Sequence, residues 1–498
     1  MKARDIPERP GTTVILPAQP GSLLSPHSRV SQPVSVTARI PRIAAPKQRN
    51  AKERSNGPGP RQHHHGKTKA TSRHGRGAYN KRLGMITVIA TFVGLLFGYD
   101  TGVLNGALGF MSSYFNMSPW EEGLITFILL IGAAVGSLAG GKIYGHRPFI
   151  IALAVLFFIG TLGSAFSPQY DVLLIFRFIL GLAVGGASVT FPVYLAEVAP
   201  FEKRGNLVSR NELMIVSGQF LAFLINAIIG NNWGSNPDVW RYMLVVAVLP
   251  AFVLFFGMLR MPESPRWLVS KRRDEQALAV LRTMRPKERA EAEMAEVGEL
   301  ADQERLEHLG SWKEILSTRW THRLLFIGFG NGIFQQLTGI NSMMYYGTQV
   351  LEQAGFDRNA ELGFNVLNGV ASVVPMLIAL FIINRVIRRG MMLTGFVGTT
   401  TAHIGVGLVG ILLPEDNLLR PWLLLVFILA FIAMMQVTIG PLAWLMISEI
   451  FPLRMRGLMI GASTLVLWLT NALVSLLFPP VVAVLGFGTF LLFAVLGI

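Results

Sequence analysis

Two ionisable side chains lie inside long apolar stretches, where charge is costly and typical of functional sites. Asp100 lies in the first stretch, within Gly98–Val103 (GYDTGV), and Arg177 lies near the start of the fourth. A buried carboxylate is neutral when desolvated and ionised beside a cation. A carboxylate that alternates between these states can carry a proton across a membrane, so the pair is a candidate for proton coupling. The alternative is a static ion pair that fastens two helices.

Amide side chains form a second set at membrane depth. The seventh apolar stretch carries Gln335, Gln336 and Asn341 within the sequence QQLTGIN. In a regular helix Asn341 would point about 140° away from Gln336, so we expect a break near Thr338–Gly339 that turns both toward one cavity. The fifth, eighth and eleventh stretches add Gln219, Asn368 and Asn471.

Because amides donate and accept hydrogen bonds without carrying charge, this set suits a neutral polyhydroxyl ligand. Trp444 and Trp468 offer flat apolar faces for the C–H surface of a ring. The alternative for any single amide is a hydrogen bond between packed helices. Small-residue spacings such as Gly132/Gly136/Gly140 indicate close helix packing.

The elements that must position these residues are membrane helices. Hydrophobic residues make up 51% of the chain and charged residues 15%, against about 25% charged residues in soluble domains. Apolar runs of about 20 residues are long enough to cross a bilayer. They predict twelve spans near 84–110, 121–141, 148–167, 171–195, 208–230, 241–260, 322–350, 362–383, 391–413, 420–447, 457–478 and 480–498.

An internal repeat divides these spans into two halves. Leu195–Gly205 (LAEVAPFEKRG) returns as Ile447–Gly457 (ISEIFPLRMRG), and Gly141–Arg147 is echoed more faintly by Ile383–Arg389. Each copy follows an apolar stretch. Repeats at corresponding positions of two hydrophobic halves are typical of carriers built by duplication.

Charge distribution predicts the domains and the topology. Residues 1–82 hold 17 Lys/Arg and three acidic residues, so this Pro/Gly/Ser-rich segment supplies most of the net charge of +15. We expect a disordered cytoplasmic tail that touches anionic lipid rather than a nucleic-acid arm. The joints at 142–147, 201–210, 384–389 and 453–456 are basic, which places them and both termini in the cytoplasm. The predicted domains are the tail, a lobe at 83–261, a linker with short surface helices at 262–321 and a second lobe at 322–498.

Several classes of site are not supported by the sequence. The chain has no cysteine, which excludes disulfides and thiolate chemistry. His63, His64 and His65 are adjacent in the tail and form no defined metal site, and no glycine-rich nucleotide loop or Ser/His/Asp arrangement is present. We therefore expect no enzyme activity, no metal and no cofactor other than protons.

Together these residues resemble the sugar porter family of the major facilitator superfamily, from about residue 83 onward. The segments that show the resemblance are GYDTGV, Arg177, the two repeated joints, Pro262–Trp267 (PESPRW), QQLTGIN and Gly440–Trp444 (GPLAW). Ala183–Gly205 looks most like bacterial myo-inositol/proton symporters within it. The resemblance implies an all-α polytopic fold with two six-helix lobes related by a pseudo-two-fold axis. It also implies a monomeric carrier in the plasma or inner membrane. This carrier would take up a cyclic polyol or sugar together with protons, with myo-inositol favoured over a hexose or pentose.

The resemblance also implies roles for residues. Asp100 takes the position of the proton-accepting aspartate, paired with Arg177. The residues that match sugar-contacting positions are Gln219, Gln335, Gln336, Asn341, Asn368, Trp444 and Asn471. Glu197, Arg204, Glu449 and Arg456 match a charge network that holds the cytoplasmic side closed.

Three departures keep alternatives open. The joint Gly141–Arg147 is shortened and lacks the family's aspartate, its counterpart has Asn384 and Ile387 where the family has Asp and Gly, and the last helix is short. The alternatives are a proton-independent sugar facilitator, for which Asp100 is only structural, and a transport-impaired or sensing relative.

Overall fold

The computed structural model describes residues 73–140, 146–198, 204–306, 312–383, 385–452 and 455–497. All regular structure in these residues is helical, which confirms the all-α prediction. The predicted tail at 1–82 lies outside the described residues up to position 72, and the first helix begins ten residues before the predicted tail boundary. The helices of the N-terminal half are α1 (Arg73–Phe115), α2 (Pro119–Gly140), α3 (His146–Ala165), α4 (Tyr170–Val198), α5 (Arg204–Trp233), α6 (Val239–Val246) and α7 (Val248–Leu259).

Short helices connect this half to the next. They are α8 (Pro265–Ser270), α9 (Asp274–Met284), α10 (Lys287–Leu306) and α11 (Trp312–Ser317). Ser264 begins the first of them by accepting a hydrogen bond from the Trp267 N–H at 3.2 Å, and Pro265 follows at the first helical position. A side-chain cap followed by proline is a favourable start for a helix.

The C-terminal half repeats the arrangement with two interrupted spans. Its helices are α12 (Arg319–Leu337), α13 (Ile340–Gln353), α14 (Arg358–Ile382), α15 (Arg388–Leu412), α16 (Arg420–Val437), α17 (Ile439–Ile450), α18 (Arg456–Leu485) and α19 (Gly488–Leu496). In the described residues, nine helical segments are long and apolar enough to cross a membrane. The other three predicted spans are not among these nine. They are the first, which corresponds to α1, the seventh, which corresponds to α12 with α13, and the twelfth, which corresponds to α19.

The boundary between the last two spans differs from the prediction. The sequence predicts a loop near Pro479–Pro480, but α18 continues through both prolines to Leu485. Proline at position 479 removes the N–H that would bond to the Ser475 carbonyl. That carbonyl instead accepts a hydrogen bond from the Tyr346 hydroxyl at 2.9 Å. A distant partner thus satisfies the freed group inside the bundle, as membrane helices require.

Glycines allow the helices of the N-terminal half to approach closely. Gly94, Gly98, Gly102 and Gly106 recur every fourth residue on α1 and face α5. A β-carbon at Gly98 would overlap the backbone oxygen of Ile215. In lipid, helices associate through such close packing because apolar burial alone does not favour contact with a neighbour over contact with lipid.

The two halves meet through helices that the internal repeat makes equivalent. The second span (α2) packs against the eleventh (α18), and the fifth (α5) packs against the eighth (α14). Exchanging the halves exchanges these two contacts, as a pseudo-two-fold axis requires. We call the end of the bundle that carries α8–α11 the linker end, and the opposite end, with the connections at 116–118 and 354–357, the loop end.

Candidate functional site: a polar cavity between the halves

A cavity of about 80 Å³ lies between the two halves of the bundle. Side chains from α1, α5, α12, α13, α16, α17 and α18 line it. The predicted amides and indoles that lie in its wall are Gln219, Gln335, Gln336, Asn341, Trp444, Trp468 and Asn471.

The predicted break in the seventh span positions three of these amides. α12 ends at Leu337, and Gly339 adopts a left-handed conformation with φ of 75° before α13 begins. Glycine reaches this conformation without the steric cost that a β-carbon adds. The break turns Asn341 toward Gln336, and the Asn341 Nδ2 donates a hydrogen bond to the Gln336 Oε1 at 2.6 Å. Two side chains that a straight helix would separate therefore lie together.

Two other lining side chains carry polar atoms that need a partner. Gln219 is 6% exposed and Trp468 is 2% exposed. Within the described residues, the Gln219 Oε1 and the Trp468 Nε1 have no hydrogen-bond partner. Buried polar atoms are normally hydrogen-bonded, so these two atoms are suited to a ligand that offers both donors and acceptors.

Asn368 lies apart from the cavity, in a second group of amides near the loop end. We call Asn105, Thr348, Asn365 and Asn368 the Asn105 cluster. Asn368 donates to Asn365 at 2.8 Å, and Asn365 donates to the Asn105 Oδ1 at 3.2 Å. The described residues that line the cavity do not include Asn368. Its predicted contact with substrate therefore stays a prediction, and its present contacts are with other amides.

The Asn105 cluster joins the two halves. Asn105 on α1 donates to the backbone oxygens of Met343 and Met344 on α13 at 3.1 Å and 2.9 Å. Its Oδ1 accepts from the Thr348 N–H at 3.0 Å. Asn105 lies one helical turn beyond the lining residue Thr101 toward the loop end. These contacts therefore close the cavity at that end.

Asp100 and Arg177 are paired but lie behind the cavity wall. Arg177 on α4 is fully buried, and its Nη1 lies 3.5 Å from the Asp100 Oδ1. The Arg177 Nε and Nη2 have no hydrogen-bond partner in the described part of the chain. Tyr345 lies beside the pair and beside Thr101 and Asn471 of the cavity wall. The pair is thus one side chain removed from the ligand space.

A carboxylate that the sequence analysis missed lies in the cavity wall. Glu212 on α5 is the one ionisable side chain among the described lining residues. It precedes Gln219 by seven residues, which places both on one face of α5. That spacing is the signal that could have identified it. Glu212 falls within the predicted fifth span, 208–230, close to the basic joint 201–210. Gln436, at the end of α16, is a further lining amide that was missed.

Comparison with known proteins identifies the family. Residues 86–498 match the family model described as "Sugar (and other) transporter". The chain belongs to this family. It is 50% identical over 419 residues to the major myo-inositol transporter IolT of Bacillus subtilis, covering 83% of this chain and 88% of that protein.

Solved structures of the family have the same fold. The proton:xylose symporter XylE bound to 6-bromo-6-deoxy-D-glucose superposes with a TM-score of 0.71 at 28% identity, over 84% of this chain and 94% of that one. The partially occluded inward-open conformation of XylE from E. coli superposes with a TM-score of 0.72 at 28% identity, over 83% of this chain and 96% of that one. The major facilitator fold with two six-helix lobes is thereby confirmed, and the matching proteins are transporters rather than enzymes.

The residues predicted for a cytoplasmic gate lie at the linker end of this sugar transporter. Glu197 accepts a hydrogen bond from the Ser264 hydroxyl at 2.5 Å, and Glu449 is ion-paired with Arg388. Arg456 donates to the backbone oxygen of Phe451 at 3.2 Å. The side chain of Arg204 lies outside the described residues. The contacts described for Glu449 and Arg456 are made within one half, and the network between the halves stays a prediction.

No metal site is found in the portion of the transporter that the structure describes. That portion contains no group of three or more His, Cys, Asp or Glu side chains placed to hold a metal ion. The histidines at 63, 64 and 65 are outside it.

Proposed function

We propose that this member of the sugar transporter family takes up a cyclic polyol or sugar together with protons, by alternating access, and that myo-inositol is its favoured substrate. The observation that carries the proposal is the cavity between the halves, whose wall brings amides from both halves and indoles from the C-terminal half to one space. Uncharged donors and acceptors recognise hydroxyl groups without selecting for charge. The similarity to IolT supports a cyclic polyol.

The Asp100–Arg177 pair supports proton coupling. An ionised carboxylate without a cationic partner is costly in an apolar interior. Separating Asp100 from Arg177 therefore favours the protonated carboxyl. The pair lies between α1 and α4, and Tyr345 of α13 contacts it from the other half. Relative movement of the halves therefore changes the surroundings of Asp100, which is what coupling requires. The similarity to a proton:xylose symporter agrees with this role.

The proposed orientation places the loop end outside and the linker end in the cytoplasm. The joints of the linker end are basic, and cytoplasmic joints of membrane proteins are enriched in Lys and Arg. With this orientation both termini are cytoplasmic, and the Asn105 cluster closes the cavity to the outside. The conformation is then closed to the outside. We assign the protein to the plasma or inner membrane.

Uptake of radiolabelled myo-inositol in cells that lack their own inositol carriers tests the proposal. We expect accumulation that a protonophore abolishes, with weaker competition from glucose and xylose. Stronger competition by a pentose or hexose would assign that sugar as the substrate. Saturable uptake that the protonophore does not change would instead support a facilitator. Binding without any flux would support a sensing relative.

A further inference from the structure

His403 on α15 is a buried histidine that none of the roles above uses. It is 2% exposed, and its Nε2 lies 2.8 Å from the backbone oxygen of Thr338. Its ring packs against Phe431 and Phe493 with centroid distances of 4.2 Å and 5.6 Å. A carbonyl oxygen only accepts hydrogen bonds, so Nε2 carries the hydrogen and donates it. His403 is thereby hydrogen-bonded to the break between α12 and α13.

The break leaves backbone oxygens that a continuous helix would satisfy. The Thr338 hydroxyl donates to the Gln335 oxygen at 2.6 Å, and the Gly339 N–H donates to the Gln336 oxygen at 3.0 Å. The Thr338 oxygen lies two residues beyond that of Gln336, and the His403 imidazole donates to it. Within a membrane bundle an unsatisfied carbonyl is costly because water is not at hand to replace the missing donor.

Aromatic packing holds the same break on the side away from the cavity. A β-carbon at Gly339 would lie 2.9 Å from the ring of Phe493 on α19. Neither His403 nor Phe493 is among the described residues that line the cavity. α15 and α19 therefore support the break from behind, while its cavity side presents Gln336 and Asn341.

We propose that His403 is a positioning residue for the substrate-binding segment. Its hydrogen bond to Thr338 sets the angle between the end of α12 and the start of α13, and so holds Gln336 and Asn341 at the separation seen in the structure. The identity of the ligand in this inference rests on the proposed function. The hydrogen bond and the geometry of the break do not.

Binding measurements on three variants test this role. His403→Phe keeps an aromatic ring without a donor, His403→Asn carries an amide too short to reach Thr338, and His403→Gln places an amide nitrogen near the position of Nε2. We expect the Kd for myo-inositol, measured by tryptophan fluorescence of the purified protein, to rise about tenfold in the first two variants and to return within about twofold in the third. His322→Phe, the same change on α12 away from the break, is the matched control.

A second measurement needs no substrate. Because the chain has no cysteine, Ile340→Cys at the start of α13 in the cavity wall supplies the sole thiol, and its maleimide labelling rate reports the placement of α13. We expect His403→Phe to change that rate about fivefold and His403→Gln to leave it near that of the parent. Failure of the unaltered protein to bind myo-inositol would reject the proposed substrate while this measurement still decides the role of His403. Unchanged Kd and labelling rate in His403→Phe, or equal losses in all three His403 variants, would overturn the proposal.

Discussion

Removing Asn105 should shift the transporter toward its outward-open conformation. Asn105→Ala deletes two hydrogen bonds to backbone oxygens of α13 and two that the Asn105 Oδ1 accepts from Thr348 and Asn365. All of these bonds link the N-terminal half to the C-terminal half, so they exist only while the loop end is closed. Opening that end in the unaltered protein must break them.

The size of the shift follows from the number of bonds. Hydrogen bonds between membrane helices contribute on average about 0.6 kcal/mol each, so losing four of them destabilises the closed loop end by about 2 kcal/mol. A change of about 2 kcal/mol corresponds to about thirtyfold in the equilibrium between the two conformations. The expected direction is toward the conformation in which α1 and α13 have separated.

Labelling from outside the cell measures this equilibrium directly. With no native cysteine in the chain, a single cysteine at Thr101 in the cavity wall reports access from the loop end to an impermeant maleimide. We expect Asn105→Ala to raise the labelling rate at least tenfold. Asn232→Ala is the control, because Asn232 lies near the loop end and its side chain donates within α5, to the Ile228 oxygen. An unchanged rate in Asn105→Ala, or an equal rise in Asn232→Ala, would refute the reasoning.

Two further predictions concern packing and recognition. Gly98→Ala should lower the melting temperature and the yield of folded protein, because a β-carbon there overlaps the backbone of Ile215 and overpacking costs about 1–3 kcal/mol. Gly461→Ala is the control, because the space around its β-carbon is open, and it should leave both quantities unchanged. Equal melting temperatures in the two variants would contradict the close approach of α1 and α5. Glu212→Ala should raise the KM for myo-inositol about fivefold, because it removes a hydrogen-bonding side chain from the cavity wall and a typical hydrogen bond contributes about 1 kcal/mol. A KM unchanged by that substitution would remove Glu212 from the binding site.

The duplicated joints and the apolar runs predicted the fold, because each span must satisfy its own backbone in lipid and so must be a helix. The break at Gly339 was predictable from the spacing of the amides. Only a break lets Gln336 and Asn341 face one cavity, and glycine marks the place where the backbone can turn.

Features that depend on distant partners were not predictable. α18 continues through Pro479–Pro480, and the Tyr346 hydroxyl, from another helix, donates to the Ser475 oxygen in place of the missing N–H. Asn368 was predicted to contact the ligand, and in the structure it belongs to the Asn105 cluster through its hydrogen bond to Asn365. A helix that is apolar on all sides does not indicate from its sequence which face carries the ligand. The contacts of the predicted gate depend on the conformation and lie beyond what residue type and spacing determine.

Transport by purified protein in liposomes tests the central proposal most directly. With an inward-directed proton gradient and no other energy source, the unaltered protein should accumulate myo-inositol above its external concentration. Asp100→Asn keeps the shape of the side chain but removes the carboxyl that takes up and releases a proton. This variant should only bring the internal and external concentrations of myo-inositol to equality. Accumulation by Asp100→Asn equal to that of the unaltered protein would contradict the account.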